Sequence, residues 1–176
     1  MADANPKSVA DLLYRAGGQL VGRTRLQKSA CLLELAGAGY GFQFSYRLFG
    51  PYSEELQIAS EDADALGLIK ERRKSANWGG WYSSFDAKIS KPAMPAGASV
   101  NRARSRLLKV CVSADPVQLE LAVTAAFLSA NGIVNPWDKV AQRKSAKATE
   151  KNMDGAKALY KQLLRIPAPK ALPKIA

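Results

Sequence analysis

The stretch Gly22–Ile69, GRTRLQKSACLLELAGAGYGFQFSYRLFGPYSEELQIASEDADALGLI, constrains this chain more than any other part of it. Thr24 followed by Gln27 is a capping-box signature, and the helix it opens runs to about Ala36 with apolar residues on most sides. Leu26, Ala30, Cys31, Leu32, Leu33 and Leu35 leave so little polar face that the helix must sit centrally, packed all round. Gly37, Gly39 and Gly41 break it, and Phe42, Phe44, Tyr46 and Leu48 then alternate with polar neighbours as a half-buried strand. Gly50-Pro51 reads as a turn. Ser53 caps a further helix whose first turn carries Glu54 and Glu55, where carboxylates suit the helix dipole. Leu56, Ala59, Ala63 and Leu66 form its inward stripe, and Gly67 ends it.

Around this centre the other elements follow. Asn5-Pro6 opens a first helix with Val9, Leu12, Leu13 and Ala16 at helical spacing, stopped at Gly17-Gly18. After Gly67 comes a hairpin: Leu68 to Lys74, a turn at Asn77–Gly80, and Trp81 to Ile89, with Trp81, Phe85 and Ile89 on one face. The expected architecture is mainly α (α+β): a winged-helix-like part over residues 1–90, a linker over 91–99 and a helical extension over 100–165. In the extension Val100, Leu107, Leu108 and Cys111 share a stripe, and Asp115-Pro116 and Asn135-Pro136 each open a helix. A last helix turns Met153, Ala156, Tyr160 and Leu163 inward. The tail, 166–176, holds three prolines and is either disordered or an extended peptide docked on the body.

Chemistry has few places to reside. The chain has no histidine, which removes the commonest general base and metal ligand. Its two cysteines, Cys31 and Cys111, fall at apolar helix positions and read as buried reduced thiols. No phosphate-binding glycine motif follows a strand, and the glycines at 37, 39 and 41 read as a helix exit. Glu61, Asp62 and Asp64 read as a solvated helix face. No catalytic residue, cofactor or metal is expected, and with no apolar run of membrane length the chain is expected in the cytoplasm.

Charge points toward binding. Of the net +11, nine charges lie in residues 101–176, which hold fourteen Lys and Arg against five Asp and Glu. A polyanion or an acidic protein surface is the natural partner. The candidate contact residues are Arg72, Arg73, Lys74, Trp78 and Tyr82 in the hairpin, where cations lie beside planar rings, and Arg102, Arg106 and Lys109 on the helix after the linker. Arg23, Arg25 and Lys28 make a smaller cationic spot. The apolar helices after Asp115 point to a homodimer.

These residues carry a resemblance. GRTRLQK at Gly22–Lys28, Leu32-Leu33, Tyr46-x-x-Phe49-Gly50-Pro51-Tyr52-Ser53-x-x-Leu56 and Leu66-Gly67-Leu68-Ile69 resemble the pattern of the YwgA-like bacterial and archaeal proteins. More distantly they are similar to the Panacea (SocA-like) antitoxin domain. The similarity covers about residues 8 to 75. It implies a non-enzymatic, antitoxin-like protein that neutralises or regulates a partner protein, such as a toxin encoded nearby. The alternative expectation is a winged-helix nucleic-acid-binding regulator touching DNA through the basic hairpin and the C-terminal helices.

Overall fold

Residues 4–175 are described by a computed structural model. Asn5 caps α1 (Pro6–Arg15) by accepting the Lys7 N–H, with Pro6 at the first helical position. After β1 (Gln19–Val21) the chain enters α2 (Arg23–Leu35) at Gly22, which has no side chain to cap it. The expected Thr24–Gln27 capping box is therefore absent. Gln27 is used elsewhere: its Nε2 donates to Ser53 O at 3.0 Å and its Oε1 accepts the Ser53 N–H at 2.8 Å. That paired bond fixes the entry to the next helix against α2.

The expected strand over Phe42–Leu48 shrinks to β2 (Ser45–Arg47), and the turn falls at Leu48-Phe49 rather than at Gly50-Pro51. Gly50-Pro51 lies inside β3 (Gly50–Tyr52), paired antiparallel with β2 so that Tyr46 faces Pro51. Gly50 is required there. Its φ is +89°, and a Cβ would lie 2.6 Å from Thr124 Oγ1. The little hairpin thus rests directly on a later helix, a close approach that no local sequence pattern announces.

Ser53 caps α3 (Glu54–Ala65) as expected, accepting the Leu56 N–H. Leu56, Ala59 and Ala63 are buried, but Leu66 is 66% exposed, because the helix ends at Ala65 and the chain turns outward. β4 (Ile69–Ser75) and β5 (Trp81–Ala87) form the second hairpin, and the three-stranded sheet runs β1-β5-β4, all antiparallel. Leu20 and Glu71 both stand opposite Phe85.

The second half is helical: α4 (Ala98–Ser113), α5 (Pro116–Ala130), α6 (Pro136–Arg143) and α7 (Glu150–Leu164). Asp115 caps α5 through the Val117 and Gln118 N–H groups. From Leu119 to Ala126 every residue of α5 is buried, because it packs between α2, α6 and α7. Its apolar side chains are consumed inside the protomer, so they offer no ground for a homodimer. Cores of both halves join in one cluster running from Val9 through α2 and α5 to Leu163 and Leu172.

Residues 91–99 are tied to the body. Asp11 accepts the Ala93 and Met94 N–H groups at 2.9 and 3.0 Å, and Arg104 donates to Met94 O at 2.8 Å. The tail takes the docked form of its two alternatives. Lys170 N–H donates to Ala36 O at 2.9 Å, Leu172 is buried, and the Tyr160 hydroxyl donates to Pro173 O.

Candidate interaction surface

The hairpin β4–β5 is longer than what supports it. β5 has seven residues and pairs along its whole length with β4, whereas β1 covers only Ser84–Asp86. The half of the hairpin nearer its turn therefore overhangs the body. Strand parity puts Arg73, Trp81, Ser83 and Phe85 on one face and Arg72, Lys74, Tyr82 and Ser84 on the other. Phe85 is 1% exposed, yet Trp81 on the same face is 62% exposed. Trp81 and Phe85 share a face as expected, but only Phe85 is covered, since the body ends between them.

The five hairpin residues singled out from the sequence do not form one patch. Arg73 sits with its guanidinium 5.8 Å from the centroid of the Trp81 ring. Arg72, on the opposite face, reaches Asp86 at 3.7 Å, with Lys74 and Tyr82 beside it. Trp78, 76% exposed in the turn, lies over Gly80, where a Cβ would run into its ring.

Below the overhang, a concavity of about 380 Å³ is lined by Val21, Arg23, Arg25, Arg73, Trp81 and Tyr82 among others. A second one of about 330 Å³, lined by Lys28, Phe49, Tyr52 and Gln57, shares Arg23 and Thr24 with it. The two meet at the start of α2. The cationic spot expected there is largely spent. Arg23 pairs with Glu71 at 2.7 Å. Arg25 donates to the carbonyls of Val21, Cys111 and Ala114. Lys28 is 2% exposed, with its ammonium on Pro51 O at 2.8 Å. Burial brings the Lys28 ammonium down to about 8, with Glu120 opposing the fall.

Arg102 and Arg106 lie apart from all this, flanking a hollow of about 150 Å³ against Pro167–Pro169 of the tail. Lys109 is exposed further along α4. Of the candidate residues, Arg73 and Tyr82 line one hollow and Arg102 and Arg106 another, and Trp81, not Trp78, joins Tyr82 in the first. The signal that could have found Trp81 is strand length: three residues in β1 cannot cover seven in β5.

The remaining charged groups in the interior serve the fold. Burial works against the charged form of Asp11, but hydrogen bonds from Tyr40, Arg15 and the Met94 N–H outweigh it and hold the carboxyl below its usual range. Arg104 spans the same region, donating to Ala38 O and Gly39 O with its guanidinium 3.9 Å from the Tyr40 centroid. Glu34 folds over Gly39 and accepts the N–H groups of Tyr40, Gly41 and Phe42. The glycine-rich exit of α2 is therefore an anion cradle already filled by the chain's own carboxylate. Burial raises the Glu34 carboxyl, and those amides oppose the rise. Glu120 is lowered: burial pushes it up, but Lys144 at 2.6 Å and Lys147 at 2.7 Å prevail. Burial pushes the Cys31 and Cys111 thiols up to about 12, so both are inert as nucleophiles near neutrality. No cluster of three potential metal ligands occurs among the described residues. Nor is any helix among them long and apolar enough to cross a membrane.

Compared with protein families, curated proteins and solved structures, the chain has no match.

Proposed function

We propose that this chain is a non-enzymatic, cytoplasmic protein-binding module of antitoxin type, which neutralises or regulates a partner protein. The observation that carries this reading is the overhanging hairpin. Trp81 and Tyr82 stand exposed beside Val21 around one hollow, the exposed Phe49 borders the adjoining one, and Trp78 is exposed at the hairpin turn. Large apolar side chains gathered around a concavity mark interaction sites on proteins of this size. The resemblance of residues 8–75 to YwgA-like and Panacea domains supports the same reading. Co-expression with the product of the adjacent gene tests it. A shared peak in size-exclusion chromatography with relief of toxicity is the expected result; two separate peaks and no relief contradict it.

A winged-helix nucleic-acid binder is the second reading. The order α1-β1-α2-α3-β4-β5, with the β2-β3 hairpin inserted between α2 and α3, and the sheet order β1-β5-β4 support a winged-helix arrangement, and the net charge of +11 supports a polyanion. Against major-groove docking, α3 carries Glu54, Glu55, Glu61, Asp62 and Asp64 and no Lys or Arg. Contact would have to come from the hairpin or α4. Binding to a DNA duplex that weakens steeply between low and high salt favours this second reading, whereas equal weak binding at both rejects it.

A further inference from the structure

The backbone of β5 is left half paired on one side. Gly22 N–H donates to Ser83 O and Ala87 N–H donates to Gly18 O, so the odd-numbered residues of β5 aim their polar groups at β1. By the same alternation, Trp81 aims its N–H and C=O to that side, and Ser83 its N–H. β1 ends at Val21, however, and the chain leaves into α2. No strand continues β1 past Gly22, and among the described residues those groups have no backbone partner. An open edge of three residues, as long as β1 itself, thus faces the concavity below the overhang.

The surroundings of that edge are cationic and apolar. Arg25 and Arg73 line the hollow, and neither has a carboxylate within ion-pair distance among the described residues. No Asp or Glu lines it. Trp81, Tyr82 and Val21 supply the apolar walls, with Pro116 across from them. A strand-edge site of this kind takes an extended segment, whose main chain gives the affinity and whose alternate side chains give the specificity.

We propose that the Trp81–Ser83 edge is a docking site for an extended acidic segment of a partner protein, which prolongs β1 as an added antiparallel strand on β5. Asp or Glu of that segment meets Arg73 beside Trp81 on one face, and the intervening apolar side chains pack on Val21 and Tyr82 on the other. The inference rests on the protein-binding reading and names the chemistry of the partner. It also explains the length of the hairpin, since its outer half contributes nothing to the core of the free chain.

The test uses a displayed library of random octapeptides panned against the full chain, with selected peptides measured by fluorescence polarisation. The site requires enriched peptides that place Asp or Glu among β-branched or aromatic residues. Their binding should fall at least tenfold in Arg73→Glu and in Trp81→Pro, and remain in an Arg102→Glu, Arg106→Glu double variant. Circular dichroism of each variant separates misfolding from lost contact, and Arg73→Glu, on the exposed overhang, leaves the backbone donors intact. Enriched peptides without acidic residues, or binding indifferent to Arg73→Glu, overturn the site but leave the protein-binding reading standing. No enrichment overturns it as well, while a complex with the adjacent gene product remains a separate result. If labelled single-stranded dT20 binds and both hairpin variants abolish that binding, the occupant is nucleic acid and the acidic-segment assignment is wrong.

Discussion

Lys28 shows how a residue can carry opposite meanings in sequence and in structure. Beside Arg23 and Arg25 it reads as part of a basic surface, but its ammonium is buried beneath β3 on Pro51 O. Helical spacing alone places position 28 near a surface; only the arrival of Pro51, 23 residues further along the chain, covers it. Burial lowers this ammonium from 10.5 to about 8. Between those values the unfolded chain holds a proton that the folded chain has released, so the contribution of Lys28 to stability rises with pH across that window and is flat below it. Lys28→Met removes the effect. Stability of the wild type relative to Lys28→Met is expected to grow by about 3 kcal/mol between pH 7.5 and 10.5, measured by urea unfolding of both proteins at each pH. Cys31 and Cys111, which lose stability above pH 9, are common to both proteins and largely cancel in the difference. A difference that stays constant with pH would mean that Lys28 is solvated in the folded state.

Among the elements, those with strong local signals are legible in the sequence itself. Asn5, Ser53 and Asp115 cap their helices as their neighbours announce, and the apolar girth of α2 does place it at the centre, whereas that of α5, read as a dimer surface, is spent on α2, α6 and α7. The elements decided by distant contacts are not legible in this way. The turn at Leu48-Phe49 displaces the one expected at Gly50-Pro51, because Gly50 is needed where β3 crosses Thr124 of α5. Gln27 forgoes a cap to clamp Ser53. The proline-rich tail is ambiguous for a physical reason: its only sequence signal is the absence of helix, and docking depends on distant partners, Ala36 O for the Lys170 N–H and the Tyr160 hydroxyl for Pro173 O. Deleting residues 167–176 uncovers the site of Leu172 and removes the Tyr160 hydroxyl partner. The expected loss is about 2 to 3 kcal/mol, seen as a lower urea midpoint. An unchanged midpoint would show that the tail adds no stability.

At the scale of the whole molecule, one shared core joins the two halves, and the polar interior is spent on holding connections in place. The chain's unused chemistry lies on the outside, at the overhang of β4–β5. Composition points to a cationic binding protein, but it cannot sort the cations. Of those near α2, Arg23 is paired, Arg25 is anchored on carbonyls and Lys28 is buried, while Arg73 stands against Trp81. Sorting them takes the strand register and the length mismatch between β1 and β5. The central claim is that the partner is a protein and that it engages this edge. Hydrogen–deuterium exchange on the complex with the adjacent gene product tests it most directly. The account predicts that amides of Trp81 and Ser83 gain protection on binding, together with those at the start of α2, while the α4 face around Arg102 and Arg106 stays unchanged. Protection confined to α4 and the tail, with the Trp81–Ser83 amides exchanging as in the free chain, would contradict it.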